Sequence, residues 1–179
     1  GANYSYTYTP AAVGTITQAT LTITATGVNR IYDGTPTATV TLSDDRIPGD
    51  VFTDSYTTAS FADKNAGIGK AVSVSGISIA GADAGNYTFN TTASTTANIS
   101  QYAITFTGAA DSRAYNGGTS SSVAPSITVG SLQPGDLIGT VIQTFNNKNV
   151  GVLKALTPSG LINDGNGGAN YSYTYTPAA

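Results

Sequence analysis

The first twelve residues, GANYSYTYTPAA, recur letter for letter as residues 168–179. Neither chance nor ordinary divergence leaves an identical dozen at such a distance. The simplest account is a stretch of a longer array whose next copy is nearly identical. Such a chain folds as a series of similar units, and the stability of each depends on contacts with its nearest neighbours.

Inside that long period lies an older duplication. QATLTITATGVNRIYDG (18–34) aligns without gaps with QYAITFTGAADSRAYNG (101–117), placing Gln18, Arg30, Tyr32 and Gly34 on Gln101, Arg113, Tyr115 and Gly117. FADKNAGIGKAV (61–72) aligns with FNNKNVGVLKAL (145–156), and GNYTF (85–89) with ANYSY (169–173). Tyr4 precedes Gln18 by the same interval that separates Tyr87 from Gln101. Residues 1–17 therefore read as the terminal strand region of a preceding repeat, 18–100 as a first complete β repeat, and 101–179 as a second, divergent repeat lacking its last few residues. Adjacent repeats differ more than next-nearest copies do, which lowers the risk of strand exchange between neighbours.

The local pattern is β throughout. ATLTITATG (19–27), TATVTLS (37–43), KAVSVSGISIAG (70–81), NYTFNTT (86–92) and TANIS (96–100) alternate apolar residues with Thr or Ser, the period of a half-buried strand. The one candidate helical turn is DRIPGDVF (45–52), with LQPGDLIG (132–139) opposite it. Short strands punctuated by Asp-Gly, Asn-Gly and Pro-Gly-Asp predict an all-β chain of two tandem, small antiparallel sandwiches of immunoglobulin-like type, elongated overall. The alternative is a β-grasp-like repeat with one short helix.

Composition removes most chemistry. The chain has no His, Cys, Met or Trp, its ten acids are all Asp, and they face seven bases, for a net charge of -3. Zinc fingers, haem, iron–sulfur clusters and Ser-His-Asp triads are excluded by the missing ligands and bases. The acidic balance argues against nucleic acid as a partner, and no apolar run is long enough for a membrane-inserting helix. An enzyme would need a site built from Asp with Lys, Tyr or Ser, and nothing marks one; no cofactor is expected. Asp44, Asp45 and Asp50 are close in sequence, but the Pro-Gly loop beside them reads as a solvated turn.

Positions shared by both repeats carry structural expectations. Tyr32 and Tyr115 are expected in the core or at a corner. Asp33-Gly34 and Asn116-Gly117 supply one turn, and Lys64-Asn65 with Gly67, repeated as Lys148-Asn149 with Gly151, a second. At these residues the chain resembles a known family. The run IYDGTPTATV, then PGDVFT, FADKNAGIGKAVSVSGISIAGADAGNYTF and TANIS, is similar to the YDG-type repeat of very large bacterial surface and secreted adhesins. AYNGGT and FNNKNVGVLKAL resemble a divergent member of the same glycine-rich group, the MBG and YDG types. The resemblance implies a tandem stalk of a filamentous-haemagglutinin-like exoprotein, and it supplies no catalytic residues.

Several sites compete with that plain reading. INDGNGGAN (162–170) offers Asp164 and Asn166 as weak calcium donors. Tyr4 and Tyr6, like Tyr171 and Tyr173, align with Tyr87 and Phe89 and are expected in the core, which leaves Tyr8 and Tyr175 as the candidates for facing a glycan. Thr-x-Thr runs such as TLTIT raise a flat ice-binding face. Lys64, Lys70, Lys148 and Lys154, with abundant Asn, raise isopeptide crosslinks assisted by an Asp. Five Asn-x-Ser/Thr sequons fall at Asn3, Asn86, Asn90, Asn98 and Asn170.

The expected function is a structural stalk of a large exported bacterial adhesin. It would be extracellular and monomeric, its partners the neighbouring repeats of the same polypeptide, and it would support surface or biofilm attachment. The alternative is a β-sandwich module binding a glycan or another adhesin through exposed Tyr and Thr faces.

Overall fold

A computed structural model describes residues 3–7 and 13–178. It is all-β, with no α-helix among the described residues. Ten strands make the first unit: β1 (Ala19–Leu21), β2 (Ile23–Gly27), β3 (Arg30–Ile31), β4 (Val40–Asp44), β5 (Thr53–Ser55), β6 (Thr58–Phe61), β7 (Gly67–Ser75), β8 (Ser78–Ala80), β9 (Tyr87–Phe89) and β10 (Thr92–Ser100). Five make the second: β11 (Tyr102–Thr107), β12 (Ser126–Val129), β13 (Leu137–Phe145), β14 (Leu156–Asn163) and β15 (Tyr171–Thr176). Residues 45–52 and 132–139, expected to hold a helical turn, contain a non-helical turn at Pro48-Gly49 and Pro134-Gly135 instead. The one helical element among the described residues is the 3-10 turn Ala84–Asn86.

The units repeat one topology. In the first, β1 pairs parallel with β9, matching Ala19 to Tyr87; in the second, β11 pairs parallel with β15, matching Tyr102 to Tyr171. The Gln18 amide donates to the Gly85 carbonyl at 2.9 Å, and the Gln101 amide donates to the Ala169 carbonyl at the same distance. The central sheet of the first unit runs β3-β10-β7-β6, whereas in the second β14 pairs only with β13 in a two-stranded sheet.

The long strand 19–27 is cut at Thr22, whose N–H donates to the Asp45 carboxylate at 2.7 Å. The chain there leaves β9 and joins β4. Beside the break, the Asn90 amide bonds to both the N–H and the carbonyl of Ile23, extending the ladder with a side chain. Alternation then sorts the residues: Val72 and Val74 of β7 point inward with Val40, Phe61 and Ile99. The outward hydroxyls pair across strands, Thr24 with Ser43, Ser55 with Ser78, Thr58 with Ser75 and Thr107 with Thr128. Those pairs stabilise the sheets by cross-strand contact.

β10 leads into β11 with Gln101 alone between them. Residues 4–7 and 13–18 carry no strand. Ile16, the sequence counterpart of Ile99, is fully exposed, whereas Ile99 is 2% exposed between β7 and β3.

Candidate functional site

The most densely bonded polar cluster joins the two units. In the second unit, the Pro134-Gly135 turn presents Asp136, whose N–H donates to the Gln133 carbonyl at 3.0 Å. The Tyr171 hydroxyl accepts the Gln133 N–H at 2.8 Å and donates to Asp136 Oδ2 at 2.7 Å. Nearby, the buried Asp164 carboxylate takes the N–H groups of Asn166, Gly168 and Asn170 at 2.7, 2.8 and 2.9 Å. These three donors hold Asp164 below the usual carboxylate range, against the upward push of burial. A carboxylate ringed by N–H groups shapes a loop. Asn166, the other calcium candidate, donates to Asn170 at 3.1 Å, and no group of three or more acids that could hold a metal occurs among the described residues.

The first unit receives these groups. The Tyr32 hydroxyl donates to Asp136 at 3.0 Å, and Lys64 Nζ donates to Asp136 Oδ1 at 3.1 Å. Asn170 accepts the Ala66 N–H at 2.8 Å and donates to Asn65 at 3.2 Å. The rings of Tyr32 and Tyr171 meet edge to face, 5.7 Å between centroids. Gly34, at φ +81°, lies so close to Pro134 that a Cβ would stand 2.7 Å from its carbonyl oxygen. The Asp33 carboxylate holds that turn, accepting both the N–H and the hydroxyl of Thr35 at 2.9 Å, with Arg30 paired to it. Burial pushes the Tyr32 and Tyr171 hydroxyls up, and the Tyr32 hydroxyl and Asp136 carboxylate hold the Lys64 ammonium in its charged form. A charged Lys64 is no nucleophile. Of the other crosslink candidates, Lys70 pairs with Asp63 at 2.5 Å, and Lys154 contacts Asn147 at the surface.

Each half of this junction is duplicated, and the duplicates are open. In the first unit, Tyr87 donates to Asp50 at 2.5 Å and accepts the Ile47 N–H at 3.0 Å, the arrangement of Tyr171, Asp136 and Gln133. In the second unit, Arg113 pairs with Asn116 and lies 5.0 Å over Phe145, as Arg30 lies 5.2 Å over Phe61. Tyr115, expected in the core or at a corner, is 63% exposed, against 1% for Tyr32. The reason is the neighbour: Tyr32 is closed over by Asp136 and Tyr171, and Tyr115 has no such cover. Lys148, Asn149 and Gly151 line an open cavity of about 480 Å³ beside it, and a Cβ at Gly117, φ +80°, would meet nothing within 4 Å.

Other expectations divide. Tyr171 is buried and Tyr173 half-buried, while Tyr4 and Tyr6, also expected in the core, are exposed because no strand partner covers them. Tyr175 stacks on Phe106 and Tyr173, and its hydroxyl is bonded to the Gly160 carbonyl; Tyr8 lies outside the described residues. The sequon Asn170 is fully buried at the junction, which leaves no room for a glycan there. Asp44 pairs with Arg46 at 2.5 Å, beside buried Asp54. Sequence reasoning missed Asp136, Asn170, Asp54 and the buried Gln143, which bonds both backbone groups of Ala109. The one usable clue was Pro-Gly-Asp paired with Asn-Tyr in both repeats.

The YDG domain family model matches residues 17–97 and again residues 100–178. The second repeat, read as divergent, thus matches the same model as the first. No curated protein and no solved structure matches the chain.

Proposed function

We propose that this chain, which belongs to the YDG domain family in two tandem copies, is a structural stalk of a large exported bacterial adhesin. The observation that carries the reading is the junction. Asp136 of one unit is buried against Tyr32 and Lys64 of the other, and Gln101 alone separates β10 from β11. Units joined in this way couple mechanically to their neighbours and gain stability from them. Each is a small sandwich of immunoglobulin-like type that extends the chain by roughly 30–40 Å, the span of a strand of about ten residues and its loops.

The working place is extracellular, at the bacterial surface, where many units hold a binding region at a distance and contribute to attachment. The hydroxyl of Tyr175 is bonded to the Gly160 carbonyl and its ring stacks on Tyr173, which takes the glycan candidate out of free use. Small-angle scattering tests the reading: an elongated particle is expected, and a globule with both units side by side overturns it. A glycan array is the companion test, and specific binding would replace the stalk with a recognition module.

A further inference from the structure

The first unit carries an unfilled copy of the face that fills the junction, and the second carries an unfilled copy of the socket. We propose that the socket of the second unit, Tyr115 with Lys148, Asn149 and Val150, takes the Asp50–Asn86–Tyr87 face of a second copy of this chain. The inference rests on the reading of the chain as part of a repeated array and names the surface by which the array continues.

The correspondence runs residue by residue. Asp50 enters beside Tyr115 and Lys148, as Asp136 does beside Tyr32 and Lys64. Asn86 reaches the Val150 N–H and Asn149, as Asn170 reaches Ala66 and Asn65. Pro48 packs on Gly117, where the space that Pro134 occupies beside Gly34 is open. Val150 is 89% exposed at this socket, whereas its counterpart Ala66 is half-buried at the filled one, a cost in water that the incoming copy removes.

The strand order agrees. β7 lies between β6 and β10, and β14 is the counterpart of β7 with β13 in the place of β6. The segment Val13–Thr17 matches residues 96–100 of β10 and is exposed. In the second copy it adds beside β14, and Ile16 takes the buried place that Ile99 holds in β10.

Charge favours the same partner. Where the filled socket has Asp33 and Asp63, the open one has Asn116 and Asn147, so Arg113, Lys148 and Lys154 face only Asp111. The incoming face carries Asp50 and Asp83, as the face of the second unit carries Asp136 and Asp164. A basic socket thus meets an acidic face. Such a head-to-tail contact leaves a face free at one end and a socket at the other, so it can repeat from copy to copy.

The test extends the chain with its own residues. Because 168–179 repeat 1–12, adding residues 13–100 after Ala179 continues the register. Acylation of surface amines is followed by mass spectrometry. Lys148 is expected to react about tenfold more slowly in the extended chain than in the 179-residue chain, and Asp50→Ala in the added copy restores its reactivity. Unchanged Lys148 reactivity overturns the interface. Should the added unit fail to fold, the chain itself decides by sedimentation at about 1 mM, a concentration typical of linked domains. Self-association is expected, lost in Lys148→Glu and in Asp50→Lys alone, and regained when the two are mixed, through the unaltered Asp50 face of one and the unaltered Lys148 socket of the other. Monomers throughout overturn it. A protected Lys148 in a globular particle would keep the interface and remove the stalk, and a reactive Lys148 in a rod the reverse.

Discussion

The hydroxyl of Tyr32 donates to the carboxylate of Asp136, 104 residues away, at 3.0 Å to one oxygen and 3.2 Å to the other. The same carboxylate receives Tyr171 from its own unit and Lys64 from the other. One buried anion therefore holds three donors from two units, and its removal strands them all.

Asp136→Ala is expected to destabilise the chain by about 2–4 kcal/mol, the range for leaving a largely buried charged partner and its hydrogen-bonding groups unpaired. Denaturant unfolding should also separate into two transitions, as the units lose the contact that couples them. Asp50→Ala, at the open copy of the face, should cost less and leave the transition single.

Gly34 and Gly117 form a controlled pair, with φ of +81° and +80°. Alanine at either meets the same backbone penalty, about 1–2 kcal/mol. Only at Gly34 would the new methyl stand 2.7 Å from Pro134. Gly34→Ala should therefore exceed Gly117→Ala by about 1–3 kcal/mol in chemical denaturation, the usual cost of overpacking.

Leu153 holds φ +53°, where its counterpart Gly69 holds +62°. The leucine is exposed and gains no burial for that backbone. Leu153→Gly should stabilise by about 1 kcal/mol, read as a higher melting temperature. The same change at Val152, whose φ is not positive, should destabilise slightly.

Asp54 adds a pH dependence. Burial and the neighbouring Asp44 push its carboxyl up from 3.8 to about 6. A raised folded value means that the stabilisation is present below the unfolded value and is lost as pH rises through about 6. Asp44 runs the other way, held down by Arg46, so its contribution is lost in acid. Asp54→Asn should raise stability at pH 8 by about 1–3 kcal/mol and flatten the loss between mild acid and neutrality. Melting curves across that range measure it.

Much of the fold is legible in single residues. The Val–Ser alternation of β7 states which side chains face inward, because a strand's period is local. The Asp33-Gly34 turn is legible for the same reason: the residues that need a special backbone sit inside it. The break at Thr22 is not, since it depends on Asp45 and Asn90 arriving from elsewhere. Nor is the work of Asn170, which reads as a sequon in a loop and lies buried against Asn65 and Ala66.

By itself the sequence determined the repetition, the β period, the turns and the lack of histidine and cysteine side chains. All of these follow from residue type and spacing along one strand or turn. Only the tertiary structure decided which of two equivalent tyrosines is covered and which of two equivalent Pro-Gly-Asp turns is engaged. Tyr32 and Tyr115 stand in matching motifs, and one is buried while the other faces solvent. Burial belongs to a pair of surfaces, and the second surface at Tyr32 comes from residues more than a hundred positions away.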